Sequence, residues 1–196
     1  MAYALCILAA GKSSRMGVCK LDIQIEGKSL LEHIVLAGLE SKAEHIVLVS
    51  GAFPEVVNRV AAKYNVSVVH NDQYESGMAS SILCGIGYIE ALDNIDGIII
   101  SVADQYYLSS DVFNQLIQEH QSNPNNIIAC SYQETIGVPC LFPIQSISLL
   151  NTLSGDMGAK KLLQKHQSKL RLVSFEKGRF DLDVPTDIIG LNLTED

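Results

Sequence analysis

A loop near the start of the chain combines glycine, hydroxyl and cationic side chains directly after an apolar run. The stretch LCILAAGKSSRMGVCK, residues 5–20, holds Lys12, Arg15 and Lys20 and no acid. Gly11 lets backbone amides approach an anion, Arg15 presents a planar fork to phosphate oxygens, and Lys20 supplies a mobile point charge. These residue types predict a clamp for the phosphates of a nucleoside triphosphate.

The GKSS tetrapeptide inside this loop does not complete a P-loop. The motif GxxxxGK[ST] requires an earlier glycine at the position where Cys6 stands. A solvated basic loop is the other interpretation of the charges, and the flanking strand and glycines favour the phosphate site.

Acidic residues follow a second apolar run and recur near the end of the chain. Asp104 directly follows the run GIIISVA, so its carboxylate is predicted to face the crevice beyond the strand. Such an oxygen ligand suits Mg²⁺, although an acid here can also cap a turn. Asp181 and Asp183 alternate around Leu182, so either could supply a second ligand.

Further candidate ligand-binding residues lie at the starts of two predicted helices. Gly77, Ser80 and Ser81 offer amides and hydroxyls to a base or ribose, or are ordinary helix-start residues.

In GDMGAK, Asp156 is predicted as an N-cap that exposes the amides of Met157 and Gly158 to a second phosphate. Lys160 adds positive charge nearby or faces solvent.

Strands and helices alternate along the chain, which predicts a mostly parallel sheet with helices on both faces. The predicted strands are Ala4–Ala9, His45–Val49, Val66–Val69, Gly97–Val102, Ile127–Cys130, Pro139–Phe142 and Leu170–Ser174. The predicted helices are 29–41, starting with a Ser29–Glu32 capping box, and 54–64, 80–91, 111–120, 144–153 and 157–167, with a short one after Pro185. Ligands of such sheets bind beyond the carboxyl ends of the strands.

Length and composition predict a single domain, 1–196, in the cytoplasm. The 196 residues are 47% hydrophobic, and no apolar run approaches the length of a membrane span. The net charge of −8 and the lack of a basic stripe argue against nucleic acid or an anionic membrane as partner. Five cysteines without a CxxC pair indicate neither a disulfide framework nor a zinc site.

The pattern LAAG, SSRMG and a following lysine resembles the MobA-like nucleotidyltransferases, and within them the molybdenum cofactor cytidylyltransferases. Further matching pieces follow in the family's order: GMASSI at 77–82, ADQ at 103–105, GVPCLF at 137–142, GDMGAK at 155–160 and DLDVPTD at 181–187. The resemblance implies a three-layer α/β/α fold of the nucleotide-diphospho-sugar transferase type.

The resemblance also implies a set of site residues. It makes Arg15, Lys20 and Asp104 catalytic, and it assigns Mg²⁺ to Asp104 and Asp183, with Asp181 in support. The implied nucleotide-binding residues are Leu8, Ala9, Ala10, Gly11, Ser13, Ser14, Arg15, Lys20, Gly77, Ser80 and Ser81. Lys12 is added to them on its charge alone, because the family leaves that position variable. The implied acceptor-binding residues are Gly155, Asp156, Gly158 and Lys160.

The chain departs from the family pattern in two motifs. The run ADQYYL has Tyr106 and Tyr107 where the family commonly carries proline, and Val138 stands where a histidine is common. The first change predicts a different shape for the loop after Asp104, the second removes any ligand contact expected from the histidine ring, and together they leave the identity of the substrate open.

The implied reaction is transfer of CMP from CTP to the phosphate of a molybdopterin-type cofactor, with release of pyrophosphate. A molybdenum hydroxylase or its maturation chaperone is the implied partner. A second interpretation is nucleotidyl transfer to a sugar phosphate or methylerythritol phosphate. A third is a non-catalytic maturation factor that holds the cofactor.

Overall fold

The computed structural model describes residues 1–12, 19–133 and 135–180. Within them, nine strands and five α-helices follow one another along the chain. The strands are β1 (Ala2–Ala9), β2 (Gln24–Ile25), β3 (Lys28–Ser29), β4 (His45–Ser50), β5 (Ser67–His70), β6 (Ile95–Val102), β7 (Ile127–Tyr132), β8 (Thr135–Pro143) and β9 (Leu170–Ser174). The α-helices are α1 (Leu30–Leu39), α2 (Pro54–Tyr64), α3 (Met78–Ile89), α4 (Ser110–Ser122) and α5 (Ala159–Lys165).

Seven of the strands form one sheet in the order β5-β4-β1-β6-β8-β7-β9. Neighbouring strands run parallel except β8, which is antiparallel to both β6 and β7. The mostly parallel sheet predicted from the sequence is therefore confirmed.

Helices cover both faces of this sheet, as buried apolar residues on successive positions of β1 require. Leu5 and Ile7 belong to a core shared with α1, α2 and α4, whereas Ala4 and Cys6 belong to a second core shared with α3 and α5. The fold is a three-layer α/β/α arrangement, as predicted.

Several predicted elements have different bounds or character. The predicted helix at 144–153 is a 3₁₀ helix, Ile144–Thr152. The predicted helix at 157–167 begins at Ala159, so the expectation that Asp156 caps it is wrong. The N-cap is Gly158, which has no side chain that could accept a hydrogen bond from the helix. The terminal helix predicted after Pro185 lies outside the described residues.

The sequence reading missed the small hairpin of β2 and β3. Its turn places Glu26 and Gly27 at φ angles of 49° and 76°, the left-handed conformation that tight two-residue hairpins require. The strands have only two residues each, too few for a visible alternation of apolar and polar side chains.

Candidate functional site

A cleft of about 550 Å³ opens at the carboxyl ends of β1 and β6. One wall is the chain from Leu8 to Lys12, a second is Val102–Asp104, and the third is the turn before α3. Lys20, Leu21 and Asp156 complete the lining. Parallel strands direct their carboxyl ends to one edge of a sheet, so loops distant in sequence meet there.

The central polar contact of the cleft joins Lys20 to Asp104. The Lys20 Nζ donates to a carboxylate oxygen of Asp104 at 3.0 Å. Lys20 belongs to the 3₁₀ turn Lys20–Asp22, which is anchored by the buried side chain of Leu21. The Lys20 side chain is 12% exposed and that of Asp104 31%. The structure therefore brings together two of the three residues predicted to be catalytic.

The backbone after β1 leaves room for an anion. Among the described residues, no atom lies within 4 Å of the position that a Cβ of Gly11 would occupy. Ala9 and Ala10 are buried beneath it, and the Ala10 carbonyl accepts from the Ala52 amide at 3.2 Å. In this part of the predicted phosphate loop, the described residues leave space around Gly11, and the backbone below it is held by buried residues.

An ion pair that the sequence did not reveal crosses the cleft. Lys12 Nζ lies 2.6 Å from a carboxylate oxygen of Glu75, which precedes α3, and 5.9 Å from the ring centre of Tyr74. Pairing with Glu75 raises the pKa of Lys12, and the same hydrogen bond lowers the pKa of Glu75. Both side chains are more than half exposed, so the pair is accessible to a ligand.

The two serines of α3 lie on different cavities. Ser81 lines the cleft, whereas Ser80 lines a neighbouring cavity of about 360 Å³. Both hydroxyls accept from Asn71 Nδ2, at 2.9 Å for Ser80 and 3.0 Å for Ser81. Asn71 is buried and follows β5, and sequence reasoning gave it no role because a lone asparagine in a turn carries no motif.

The turns around Gly77 and Gly155 touch through their backbones. The Ala79 amide donates to the Gly155 carbonyl at 3.1 Å, and a Cβ on Gly77 would overlap Gly155 and the amide of Asp156. Gly77 also has a φ of 104°, a conformation that other residues rarely adopt. This contact brings Asp156 to the wall of the cleft.

The other residues predicted near the acceptor are less central. Gly155 lines the neighbouring cavity, and Gly158 packs against the Sδ of Met78. Lys160 is exposed on the first turn of α5 and is not among the described residues that line the cleft.

Several predicted site residues lie outside the described residues: Ser13, Ser14, Arg15, Asp181 and Asp183. Within the described part of the chain, no group of three or more His, Cys, Asp or Glu side chains could hold a metal ion. Asp104 alone still fits a magnesium site, because Mg²⁺ is commonly held by one or two carboxylates together with substrate phosphates and water.

The fold and the cleft define a three-layer α/β protein with a charged cleft at the carboxyl ends of β1 and β6. Residues 5–170 match the family model described as MobA-like NTP transferase domain. The chain therefore belongs to this family of nucleotidyltransferases, and the resemblance read from the sequence motifs is confirmed.

Two curated relatives match nearly the whole chain. Purine catabolism protein PucB of Bacillus subtilis is 28% identical over 90% of this chain and 87% of its own length. The molybdenum cofactor cytidylyltransferase of Escherichia coli is 26% identical over 93% of this chain and 92% of its own.

Solved structures share the fold at lower identity. Rv0371c of Mycobacterium tuberculosis superposes with a TM-score of 0.83 at 21% identity, covering 97% of both chains. A complex of Rv0371c with manganese has a TM-score of 0.79 at 19% identity, covering 97% of this chain and 98% of that one. A CMP:2-keto-3-deoxy-manno-octonic acid synthetase bound to CTP has a TM-score of 0.78 at 10% identity, covering 97% of both.

Membrane insertion through a helix has no support in the described residues, where no helix combines the length and apolarity that a span needs.

Proposed function

We propose that this protein transfers CMP from CTP to the phosphate of a molybdopterin-type cofactor and releases pyrophosphate in a Mg²⁺-dependent reaction. The observation that carries the proposal is the Lys20–Asp104 pair at 3.0 Å inside the cleft. It places a cation for phosphate and a hard oxygen ligand for a divalent metal next to each other, at the strand ends where this fold binds ligands.

The chemistry needs positioning and charge neutralisation rather than a covalent nucleophile. An oxygen of the acceptor phosphate attacks the α-phosphorus of CTP while the bond from that phosphorus to the bridging oxygen breaks. Pyrophosphate leaves with the bonding electrons. A phosphomonoester is largely deprotonated near neutral pH, since its second pKa is about 6, so the acceptor needs no general base.

Each of the cleft residues has a separate role in this proposed reaction. The open backbone at Gly11 receives the triphosphate, and Lys20 neutralises charge at the reacting phosphate. Asp104 together with Asp183 would hold Mg²⁺, which would supply positive charge against the negative charge that grows on the leaving pyrophosphate. The role of Arg15 on the β- and γ-phosphates stays a prediction from the sequence.

Two observations support CTP and the molybdopterin-type acceptor. The molybdenum cofactor cytidylyltransferase of Escherichia coli matches 93% of the chain. The chain also carries the LAAG and GMASSI motifs, which resemble the cytidylyl branch of the family. We expect the product to pass to a molybdenum hydroxylase or its maturation chaperone in the cytoplasm.

The test is a substrate panel with purified protein and Mg²⁺. CTP, GTP, ATP and UTP are each combined with molybdopterin cofactor, a sugar phosphate or methylerythritol phosphate, and both pyrophosphate and the diphosphate-linked product are measured. We expect product only with CTP and the molybdopterin cofactor. Product with another acceptor would assign the second interpretation, and tight cofactor binding without pyrophosphate release would assign the non-catalytic one.

Variants of the central pair test the site itself. Asp104→Asn and Lys20→Met should each lower turnover about 100-fold or more while leaving the folded structure intact. Asp93→Asn and Lys42→Met are matched controls, because Asp93 and Lys42 are exposed in the loops that lead into β6 and β4, at the opposite edge of the sheet. A well-folded Asp104→Asn protein with unchanged turnover would remove Asp104 from the mechanism.

A further inference from the structure

Asn71 follows β5 in a turn that holds both its backbone and its side chain. The residue is buried. Its backbone amide donates to the Ser50 carbonyl at 3.0 Å, and its backbone carbonyl accepts from the Tyr74 amide at 3.2 Å. Its side-chain Oδ1 accepts from the Gln73 amide at 3.0 Å. The carboxamide of Asn71 is therefore held in one position at the side of the cleft.

The orientation of this carboxamide follows from its partners. Because Oδ1 receives the Gln73 N–H, the Nδ2 group faces the other way, towards the start of α3. There Nδ2 donates to Ser80 Oγ at 2.9 Å and to Ser81 Oγ at 3.0 Å. The opposite orientation would place Nδ2 against the Gln73 N–H, donor against donor. Asn71 thus acts as the hydrogen-bond donor to both serine hydroxyls.

The two hydroxyls use their own protons differently. Ser80 Oγ donates within its own turn, where the carbonyls of Gln73 and Gly77 each lie 2.8 Å away. Ser80 also lines the neighbouring cavity, whereas Ser81 lines the cleft. A hydroxyl that accepts from Asn71 directs its proton away from Asn71. Of the two serines, Ser81 is the one that can donate to a ligand of the cleft.

The surroundings of Ser81 suit the base of a nucleotide better than its phosphates or ribose. Met78 lies one turn earlier on α3, lines the same cleft and is 46% exposed. An apolar side chain beside a hydroxyl complements a base, which has apolar faces and a polar edge, whereas Lys12 and Lys20 complement phosphates. A ribose hydroxyl both donates and accepts, so it gains nothing from a partner of fixed polarity.

We propose that Asn71 is a positioning residue that sets the choice of base. By donating to Ser81 Oγ, it fixes the Ser81 hydroxyl as a hydrogen-bond donor in the cleft. Cytosine accepts such a hydrogen bond at N3, whereas uracil carries an N–H there and would oppose one donor with another. The inference rests on the proposed use of CTP.

Asn71→Asp tests the role because it reverses the polarity of one group. The carboxylate keeps an acceptor for the Gln73 amide and replaces Nδ2 by an oxygen, so Ser81 would donate to it and present a lone pair to the cleft. Binding of CTP and of UTP is measured by isothermal titration calorimetry with Mg²⁺ and without an acceptor. We expect the preference, Kd for UTP divided by Kd for CTP, to fall about 10-fold or more. The added negative charge weakens both nucleotides alike and cancels in this ratio.

Two further variants show whether Asn71 acts through Ser81. Ser81→Ala removes the donor, so the preference for CTP should fall about fivefold. Adding Asn71→Asp to Ser81→Ala should then leave the preference where Ser81→Ala put it, because the hydroxyl that Asn71 orients is absent. Asn126→Asp is the matched control, since Asn126 Nδ2 also donates, to the Lys169 carbonyl at 3.1 Å, but directly before β7 and at the opposite edge of the sheet.

A third variant of this network covers the case in which the buried charge of Asn71→Asp prevents folding. Asn71→Ala removes the donor to Ser81 without adding a charge, so the hydroxyl can turn to meet either pyrimidine. The preference for CTP should fall about fivefold. An unchanged preference in folded Asn71→Asp, or in folded Asn71→Ala where the first does not fold, would overturn the inference.

The unmodified protein separates this inference from the proposed function. If it binds UTP as tightly as CTP, the choice of CTP in the proposed function is wrong and the inference falls with it. If it prefers CTP and the variants of Asn71 keep that preference, only the positioning role of Asn71 is wrong.

Discussion

Lys20 and Asp104 neutralise each other in a site where neither is fully solvated. Lys20 is 12% exposed at its side chain, and a cation buried to this degree without a partner would be costly. In the proposed reaction, a metal-bound triphosphate would offer each of them a new partner, a phosphate for Lys20 and the metal for Asp104. Until then, the pair holds both side chains in place at the cleft.

The ion pair between Lys12 and Glu75 would compete with the proposed contact between Lys12 and the triphosphate, so Glu75→Gln should improve nucleotide binding. Release of Lys12 from its exposed pair should lower the KM for CTP about two- to fivefold and leave kcat unchanged. Steady-state kinetics at low and high salt measure this, and the difference between the two proteins should shrink as salt screens the pair. Glu40→Gln, at the exposed end of α1, is the control. A higher KM for Glu75→Gln would instead make Glu75 a favourable nucleotide contact.

The sequence predicted the residues of the site that follow strands. It did not predict the residues of other loops that form ion pairs or hydrogen bonds with them. Lys20 and Asp104 could be identified because a cationic loop and an acid each follow an apolar strand. Glu75 and Asn71 carry no such signal, since an acid or amide in a turn is ordinary. Their roles depend on which strands lie next to each other, and that order is set by tertiary packing.

Helix α3 shows how one element depends on a single small residue. A Cβ on Gly85 would overlap the Sγ of Cys6 on β1 and lie 2.8 Å from Val49 on β4. Because these atoms belong to the buried centre of the sheet, neither can move away cheaply. Gly85 therefore sets how closely α3 approaches β1 and β4.

Gly85→Ala and Gly87→Ala should have opposite effects on stability. Overpacking at Gly85 should cost about 1–3 kcal/mol. Gly87 lies on the exposed side of the same helix with no atom within 4 Å of its Cβ position, so alanine there should stabilise the protein by about 0.5–1 kcal/mol through helix propensity. Urea unfolding monitored by circular dichroism measures both. Equal effects of the two changes would show that the close contact at Gly85 does not limit the packing.

The bounds of some elements could be predicted from local signals, and those of others could not. The bounds of α2 and β9 agree with their predictions, and an N-terminal proline marks the start of α2. The start of α5 was misplaced because Asp156 has the residue type of an N-cap, whereas the turn at Gly155, held against Gly77, delays the helix to Ala159. Contact between distant loops overrode local preference there.

At the scale of the whole molecule, the acidic chain places two lysines of the predicted site in the cleft at one edge of the sheet. The net charge is −8, yet Lys12 and Lys20 both line the cleft. The sequence already indicated this block of cations, because the loop that follows β1 contains no acid. The depth of the cleft could not be inferred in the same way, since it is formed by loops from β1, β6 and the turn before α3 together.

The carboxylate of Glu32 links α1 to α2 and makes the stability of the molecule depend on pH. One of its carboxylate oxygens accepts from the Ser29 amide at 2.7 Å in the capping box of α1. The other accepts from Lys63 Nζ at 2.6 Å and from the Tyr64 hydroxyl at 3.1 Å, both at the end of α2. The hydrogen bond from Lys63, followed by that from Ser29, lowers the pKa of Glu32 from 4.5 to about 2.

The depressed pKa fixes the direction of the pH dependence. The folded protein releases this proton at a lower pH than the unfolded chain, so the stabilisation is complete above pH 4.5 and is lost as the pH falls towards 2. Glu32→Gln should reduce the free energy of unfolding at pH 7 by about 1 kcal/mol and should flatten its dependence on pH between 4.5 and 2. Urea unfolding across this range measures both quantities, with the exposed Glu90→Gln as control. The free energy of unfolding of Glu32→Gln could instead fall just as steeply between pH 4.5 and 2. That result would assign the loss of stability to other carboxylates, because only a group whose pKa differs between the folded and unfolded states contributes to this slope.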